Sequence, residues 1–198
     1  MKSRNWVRLF LSTLLVGAIS TIITGFAVKW SEYKDLFLAS DFVEILMVVF
    51  WLIGVGFIFS IISQMGFFAY LTVHRIGQGL FKGAWSPAQI VLIAFVLFDL
   101  IYFRYQVFAV EGESITEYVL VPVGLLVFAL IIAYFKRKQT NSKAFLPALF
   151  FMFVVTVIEW VPAIRVNDES WLYLWIFPLL VCNAYQLLIL PKITKQKS

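Results

Sequence analysis

Two acidic residues stand out because each lies deep inside a long apolar run. Asp99 follows Pro87 by twelve residues, and Glu159 follows Pro147 by twelve residues. Each proline is followed by alanine near the start of its run, so both acids are expected about 18 Å along two similar helices. An ionisable side chain in hydrocarbon is costly and rare, and it indicates a functional site.

The chemistry open to this pair is of two kinds. In the first, the acids face each other at equal depth and bind a cation, a proton, a polar ligand or a partner protein. In the second, each acid is neutral or pairs with the arginine that closes its helix, Arg104 or Arg165, and fixes the helix register. Both interpretations stay open. Ligand or partner contact is therefore a hypothesis for Asp99, Glu159, Arg104 and Arg165.

Metal and hydrolytic chemistry are disfavoured by the residue inventory. His74 is the only histidine and Cys182 the only cysteine, so a zinc site of such ligands is implausible. No His-Glu-x-x-His helix, P-loop or Gly-x-Ser-x-Gly elbow occurs. The sequence therefore predicts no cofactor, no metal and no enzymatic activity.

The elements that position these residues are predicted to be membrane-spanning helices. The chain is 62% hydrophobic and 14% charged, with a mean hydropathy of +0.93, whereas a soluble domain carries roughly 25% charged residues. Its apolar runs are continuous rather than alternating, which favours helices over a barrel. The prediction is one all-α integral membrane domain over residues 1–198 with six spans, at about 7–28, 42–63, 87–105, 118–135, 145–164 and 171–190.

The orientation follows from the distribution of the basic residues. With the N-terminus in the cytoplasm, the inner segments hold no acidic residue. The outer segments and span ends hold only four basic residues, Lys29, Lys34, Arg104 and Arg165. The positive-inside rule then predicts that both termini are cytoplasmic, in a multi-pass protein of the cell membrane. The basic pI reflects this sorting and does not indicate nucleic-acid binding. The inner basic residues are Lys2, Arg4, Arg8, Arg75, Lys82, Lys136, Arg137, Lys138, Lys143, Lys192, Lys195 and Lys197.

Small residues predict where the first helix packs. Thr13, Gly17, Thr21 and Gly25 recur every four residues and form a stripe that lets backbones approach. Packing within the bundle is favoured over self-association. In the last span Asn183 and Gln186 lie one turn apart on one face, and interhelical hydrogen bonding is favoured there over ligand contact.

The link at 64–85 has an amphipathic pattern. Its polar side points away from Val73, Ile76 and Leu80, which is typical of a helix on the cytoplasmic membrane surface. The alternative is a docking surface for a partner, for which the candidate residues are His74, Arg75, Gln78 and Lys82.

Three segments carry a family resemblance: Met1-Lys-Ser-Arg-Asn-Trp-Val-Arg8, Arg75-Ile-Gly-Gln-Gly79 and Glu159-Trp-Val-Pro162. The chain resembles the KinB signalling pathway activation (KbaA) family of endospore-forming bacilli. The resemblance implies a non-enzymatic membrane protein beside a sensor histidine kinase, which activates this two-component kinase and so feeds the sporulation phosphorelay. It supplies no functional residues. The competing classes are a small transporter or channel that uses Asp99 and Glu159, and an assembly or maturation factor for the kinase.

Overall fold

The computed structural model is all-helical over the residues it describes, which are 3–109, 112–166 and 168–194. The predicted all-α class is therefore confirmed. Lys2, Lys195 and Lys197, which the sequence assigned to the inner side, lie outside the described residues. The α-helices are α1 (Ser3–Val28), α2 (Trp30–Leu38), α3 (Phe42–Phe81), α4 (Trp85–Phe98), α5 (Arg104–Phe108), α6 (Ile115–Gln139), α7 (Phe145–Phe150), α8 (Thr156–Val166) and α9 (Glu169–Thr194), with 3₁₀ turns at Lys82–Ala84 and Ser142–Ala144 and π-turns at Asp99–Phe103 and Phe151–Val155.

Several helical stretches are long and apolar enough to cross a membrane. Within the described residues they number five: Ser3–Val28, Phe42–Phe108, Tyr118–Gln139, Ser142–Val166 and Glu169–Thr194. The second stretch has 67 residues. At 1.5 Å per residue a straight helix of that length would measure about 100 Å, against about 30 Å for the hydrocarbon layer. Its length is therefore excessive for a single crossing.

The chain reverses inside that long stretch, between α3 and α4. Lys82 has a φ of 46°, the left-handed region that ends helices. Beyond it Trp85 folds back onto α3, where its Nε1 donates to His74 Nδ1 at 3.0 Å. The rings of Phe81 and Trp85 stack with centroids 6.1 Å apart. A Cβ on Gly77 would lie 2.6 Å from the Trp85 ring, so this glycine makes room for the indole.

The predicted separate link at 64–85 is instead the continuation of α3, followed by a 3₁₀ turn. No proline interrupts this segment. A helical glycine costs only about 1 kcal/mol, which tertiary packing offsets. Tyr70 and Gly77 are buried on the inner side of this part of α3, whereas Val73, Ile76 and Leu80 are exposed.

The chain divides into two compact units, and α3 and α8 each contribute to both of them. The first unit comprises Met1–Gly66 and Glu159–Ser198, and the second comprises Phe67–Ile158. In the first, α1 packs along α9. The same unit has an apolar core around Leu52, Phe59 and Leu174.

The small-residue stripe of α1 lies in the interior of the first unit. Thr13, Gly17, Thr21 and Gly25 are all buried. A Cβ on Gly17 would lie 2.7 Å from Ser60 Cβ, closer than real contacts allow. The helices can approach this closely only because these positions lack large side chains, a feature also typical of membrane helix pairs.

The second unit is organised around aromatic side chains. Phe67 and Tyr70 each place their ring centroid 5.3 Å from that of Phe151. The Tyr70 hydroxyl donates to the Pro147 carbonyl at 2.7 Å, which joins α3 to α7. Such contacts fix the mutual position of helices that expose apolar side chains on their other faces.

The close approach of α1 and α3 predicts opposite effects for two neighbouring glycine substitutions. The Cβ of Gly56→Ala would lie 2.8 Å from the Gly17 carbonyl oxygen and 2.8 Å from Ala18 Cα. These are backbone atoms, so we expect a loss of about 1–3 kcal/mol of unfolding free energy.

Gly54→Ala is the matched control for this substitution, because nothing lies within 4 Å of its Cβ. We expect this variant to keep or gain stability, by up to about 1 kcal/mol. Unfolding in detergent micelles, followed by circular dichroism, measures both variants. Equal stability of the two would contradict the packing described here.

Candidate functional site

Glu159 occupies the interior of the first unit. It is 7% exposed, and it projects from α8 toward α3. A Cβ on Gly66 would overlap with Glu159 Oε1. Because Gly66 has no side chain, the carboxyl group of Glu159 fits against the α3 backbone.

A chain of buried hydrogen bonds leads to this carboxyl group. Gln186 Nε2 donates to Ser63 Oγ at 2.7 Å, and the Ser63 hydroxyl donates to Asn183 Oδ1 at 2.6 Å. Asn183 Nδ2 then donates to Glu159 Oε2 at 2.7 Å. The chain joins α9, α3 and α8 and confirms the interhelical hydrogen bonding predicted for Asn183 and Gln186.

The cluster carries more acceptors than donors. Glu159 Oε1, Gln64 Oε1 and Gln186 Oε1 are buried and accept no hydrogen bond from the described part of the chain. Leaving such a group unpaired costs about 1–3 kcal/mol. Carboxylate and amide oxygens suit a proton or a hard cation. A cluster of three His, Cys, Asp or Glu residues that could hold a transition metal is absent from the described residues.

Neither arginine pairs with its acid. Arg165 is exposed, six residues beyond Glu159, and the two form no ion pair in the described chain. The guanidinium of Arg104 lies 5.3 Å from the ring centroid of Tyr118. The pairing that the sequence left open for each acid is therefore not formed.

Asp99 has surroundings opposite to those of Glu159. It is exposed, in the second unit, at the first residue of a π-turn. Phe95, Phe98 and Phe103 around it are exposed as well. Among the described residues Asp99 has neither a hydrogen-bond partner nor an ion-pair partner. It thus places one carboxyl group on an otherwise apolar face.

The difference between the two acids has a local cause. The π-turn Phe151–Val155 lies between Pro147 and Glu159, whereas α4 is regular up to Asp99. A π-turn inserts one extra residue and rotates the later part of its helix by about 100°. Equal spacing in sequence therefore leads to different helix faces, and the predicted equivalence of the two acids fails at this point.

The residues predicted for docking separate into two groups. His74, Gln78 and Lys82 line a cavity of about 360 Å³ in the second unit, whereas Arg75 is exposed and does not line it. Because the indole N–H of Trp85 can only donate, His74 Nδ1 must accept and Nε2 carries the proton. The sequence analysis did not single out Gln89, which is fully buried on the same cavity wall.

Comparison with known proteins places the chain in a family. The family described as KinB-signalling pathway activation in sporulation (KbaA) matches residues 17–193. The chain is 54% identical over 194 residues to the KinB-signaling pathway activation protein of Bacillus subtilis (strain 168), covering 97% of this chain and 98% of that protein. No solved structure matches. Since the match extends over nearly the whole length of both chains, this protein belongs to the KbaA family of KinB-signalling pathway activation proteins.

Proposed function

We propose that this chain is a multi-pass cell-membrane protein that activates the membrane-bound sensor histidine kinase KinB, which feeds the sporulation phosphorelay. The observation that carries the proposal is the 54% identity to a protein named for activation of KinB signalling. The match covers 97% of this chain and 98% of that relative. The two chains therefore act through the same set of helices.

The proposed action is non-enzymatic. The residues most often used as nucleophile and base are engaged or enclosed here: His74 accepts from Trp85, and Cys182 is buried. Activation then consists of a shift of the kinase between two conformers. Such a shift requires that the protein contact one conformer more favourably than the other.

The proposed topology has six spans with both termini in the cytoplasm. The reversal at Lys82–Ala84 supports a division of the 67-residue stretch into two crossings, which raises five candidate stretches to six. Twelve of the 16 Lys and Arg residues then lie in the cytoplasmic segments, in agreement with the positive-inside rule.

Asp99 is the proposed contact with the kinase. A carboxyl group in hydrocarbon is costly without a partner, and within the described chain Asp99 has none. The complementary partner is a basic, amide or hydroxyl side chain on a transmembrane helix of the kinase. Arg75, exposed on the turns of α3 that precede the reversal, is a further proposed contact near the inner surface.

Glu159 has a different proposed role. Its burial and its bond to Asn183 make it unavailable to a second protein, while its buried Oε1 accepts no hydrogen bond from the described chain. We assign it to fixing the register of α3, α8 and α9. An ion-coupled transporter would use the same acceptors for transport, so flux distinguishes the two roles.

Reporter fusions test the topology. A periplasm-active phosphatase fused after Gly112 is expected to be active, because residues near 112 would lie outside. The same enzyme fused after Gln139 is expected to be inactive, and a cytoplasm-active reporter at Gln139 should be active. Activity of the phosphatase at Gln139 alone would overturn the six-span arrangement.

Substitution of Asp99 tests the contact. Asp99→Asn keeps the shape but removes the charge, so a charge-assisted hydrogen bond of roughly 1.5–3 kcal/mol is weakened. We expect kinase-dependent reporter expression to fall roughly tenfold at equal membrane abundance of the variant. Asp35→Asn is the control, since Asp35 is an exposed acid in α2, outside the candidate spans. Unchanged signalling in Asp99→Asn would remove Asp99 from the mechanism.

The same strains separate the competing classes. For a contact activator, deletion of the protein lowers the autophosphorylation of each kinase molecule, while the amount of kinase in the membrane stays constant. A maturation factor would instead lower the amount of kinase. A transporter would carry ions into proteoliposomes that contain this protein alone, and Glu159→Gln would abolish that flux.

A further inference from the structure

The single histidine of the chain lies between two hydrogen-bonding aromatic residues of the second unit. We propose that His74 is a proton-operated switch, which exchanges a hydrogen bond from Trp85 for one to Tyr70 when it takes up a proton. The neutral ring holds Trp85 in the reversal between α3 and α4, and the protonated ring releases it. The effect on signalling rests on the proposed function, whereas the exchange of hydrogen bonds does not.

In the structure His74 has the arrangement of the neutral ring. Trp85 Nε1 donates to His74 Nδ1 at 3.0 Å, and an indole N–H can only donate. Nδ1 can accept this hydrogen bond only while it carries no proton. In the imidazolium form two N–H donors would point at each other, so the bond between His74 and Trp85 is lost on protonation.

Tyr70 offers the protonated ring a second partner. Its hydroxyl oxygen lies 3.5 Å from His74 Nδ1, one helical turn earlier in α3. The hydroxyl proton is directed at the Pro147 carbonyl, 2.7 Å away, so the oxygen faces the histidine as an acceptor. Gln89 shares this hydroxyl group through a side-chain hydrogen bond. An Nδ1–H formed by protonation can therefore donate to Tyr70 after a small rotation of the imidazole.

Trp85 supports the reversal that the switch would change. It is 8% exposed, and its ring stacks on Phe81 with centroids 6.1 Å apart. It also occupies the space that Gly77 leaves by having no side chain. A buried donor that loses its partner is costly, so the indole N–H has to turn toward the cavity that Trp85 lines. Protonation of His74 therefore moves Trp85 within the reversal.

The groups around His74 decide at which pH the exchange occurs. Arg75 adjoins it in α3, and Lys82 and Lys143 line the same cavity from the two 3₁₀ turns. Neither α4 nor α7 contributes a charged residue to the cavity wall, and no acidic residue lines it. Three cations oppose a further positive charge, so the neutral ring prevails at neutral pH. Protonation then requires a pH below about 6.5, the ordinary pKa of histidine, where Tyr70 keeps its proton.

A switch at this position is next to a proposed kinase contact. Arg75 follows His74 directly in α3 and is exposed. Under the proposed topology the reversal lies on the cytoplasmic side, so the switch responds to the pH of the cytoplasm. We expect acidification to reduce activation of the kinase, because the release of Trp85 removes a contact that fixes the last turns of α3.

The exchange is measured on the full-length protein in nanodiscs, purified through a tag without histidine and labelled in the histidine ring nitrogens for NMR. Because His74 is the only histidine, the spectrum reports on one ring. We expect the Nε2–H tautomer at about pH 7.5 and the imidazolium at about pH 5.5. The indole N–H signal of Trp85, assigned by its loss in Trp85→Phe, should shift with the same midpoint. A Trp85 signal that does not follow the titration of His74 overturns the proposal.

Two variants should move the His74 midpoint in opposite directions. Trp85→Phe removes the donor that favours the neutral ring, so the midpoint should rise by about 0.5–1 pH unit. Tyr70→Phe removes the acceptor that favours the charged ring, so the midpoint should fall by a similar amount. Trp51→Phe in the first unit and Tyr134→Phe on an exposed face of α6 are the matched controls and should leave it unchanged. Shifts of the same sign in the Trp85 and Tyr70 variants would rule out the exchange.

His74→Asn separates the switch from the proposed function. Asparagine has a carbonyl oxygen near the place of Nδ1, so it can accept from Trp85 but takes up no proton. Acidifying the cytoplasm with a permeant weak acid should lower kinase-dependent reporter expression in the wild type and not in His74→Asn. An equal fall in both strains contradicts a role of the switch in signalling. If deletion of the protein leaves signalling unchanged while His74 and Trp85 still titrate together, the proposed function fails and the switch stands.

Discussion

A buried polar side chain needs a hydrogen-bond partner, and this requirement organises the first unit. Glu159, Asn183, Ser63 and Gln186 come from three helices and are joined by a chain of hydrogen bonds. Displacing any one of these helices along its axis would break a bond that water cannot replace. The polar cluster therefore specifies helix register, which apolar packing against lipid specifies poorly. Gly66 is part of the same packing arrangement, since a larger residue there would exclude the carboxyl group of Glu159.

Close backbone approach is the second condition for that register. The buried stripe of α1 and Gly56 of α3 lack the side chains that would hold their helices apart. If these helices span a bilayer, as proposed, burial of apolar surface gives little drive for their association, because lipid tails are as apolar as leucine. Van der Waals contact at small residues and a few buried hydrogen bonds then have to hold the helices together. Both are found in the first unit, on neighbouring turns of α3.

The sequence predicted the features that depend on local pattern. Hydropathy gave the all-helical class, and the spacing of small residues gave the α1 stripe that the structure buries. One turn of separation gave the shared face of Asn183 and Gln186. These predictions work because each depends only on the helical period.

The features that the sequence missed depend on departures from that period or on contacts made after the chain reverses. A π-turn before Glu159 rotates it away from the face that its spacing from Pro147 implies, and no rule of propensity marks Phe151–Val155 for that turn. Gln89 was missed because an amide next to an apolar run looks ordinary until its burial is known.

The two acids of the apolar helices therefore illustrate two different uses of one costly residue type. Glu159 is buried within its own chain, so contacts formed on folding offset the cost of burying its carboxyl group. Its role is to hold the helices of this chain together. Asp99 lies on an exposed apolar face, and no contact within the described chain offsets the cost of placing a carboxyl group there. A stable membrane protein does not retain such a group without a compensating contact. Under the proposed function, a helix of the membrane kinase supplies the compensating contact for Asp99, which is why the two acids of one chain are assigned different roles.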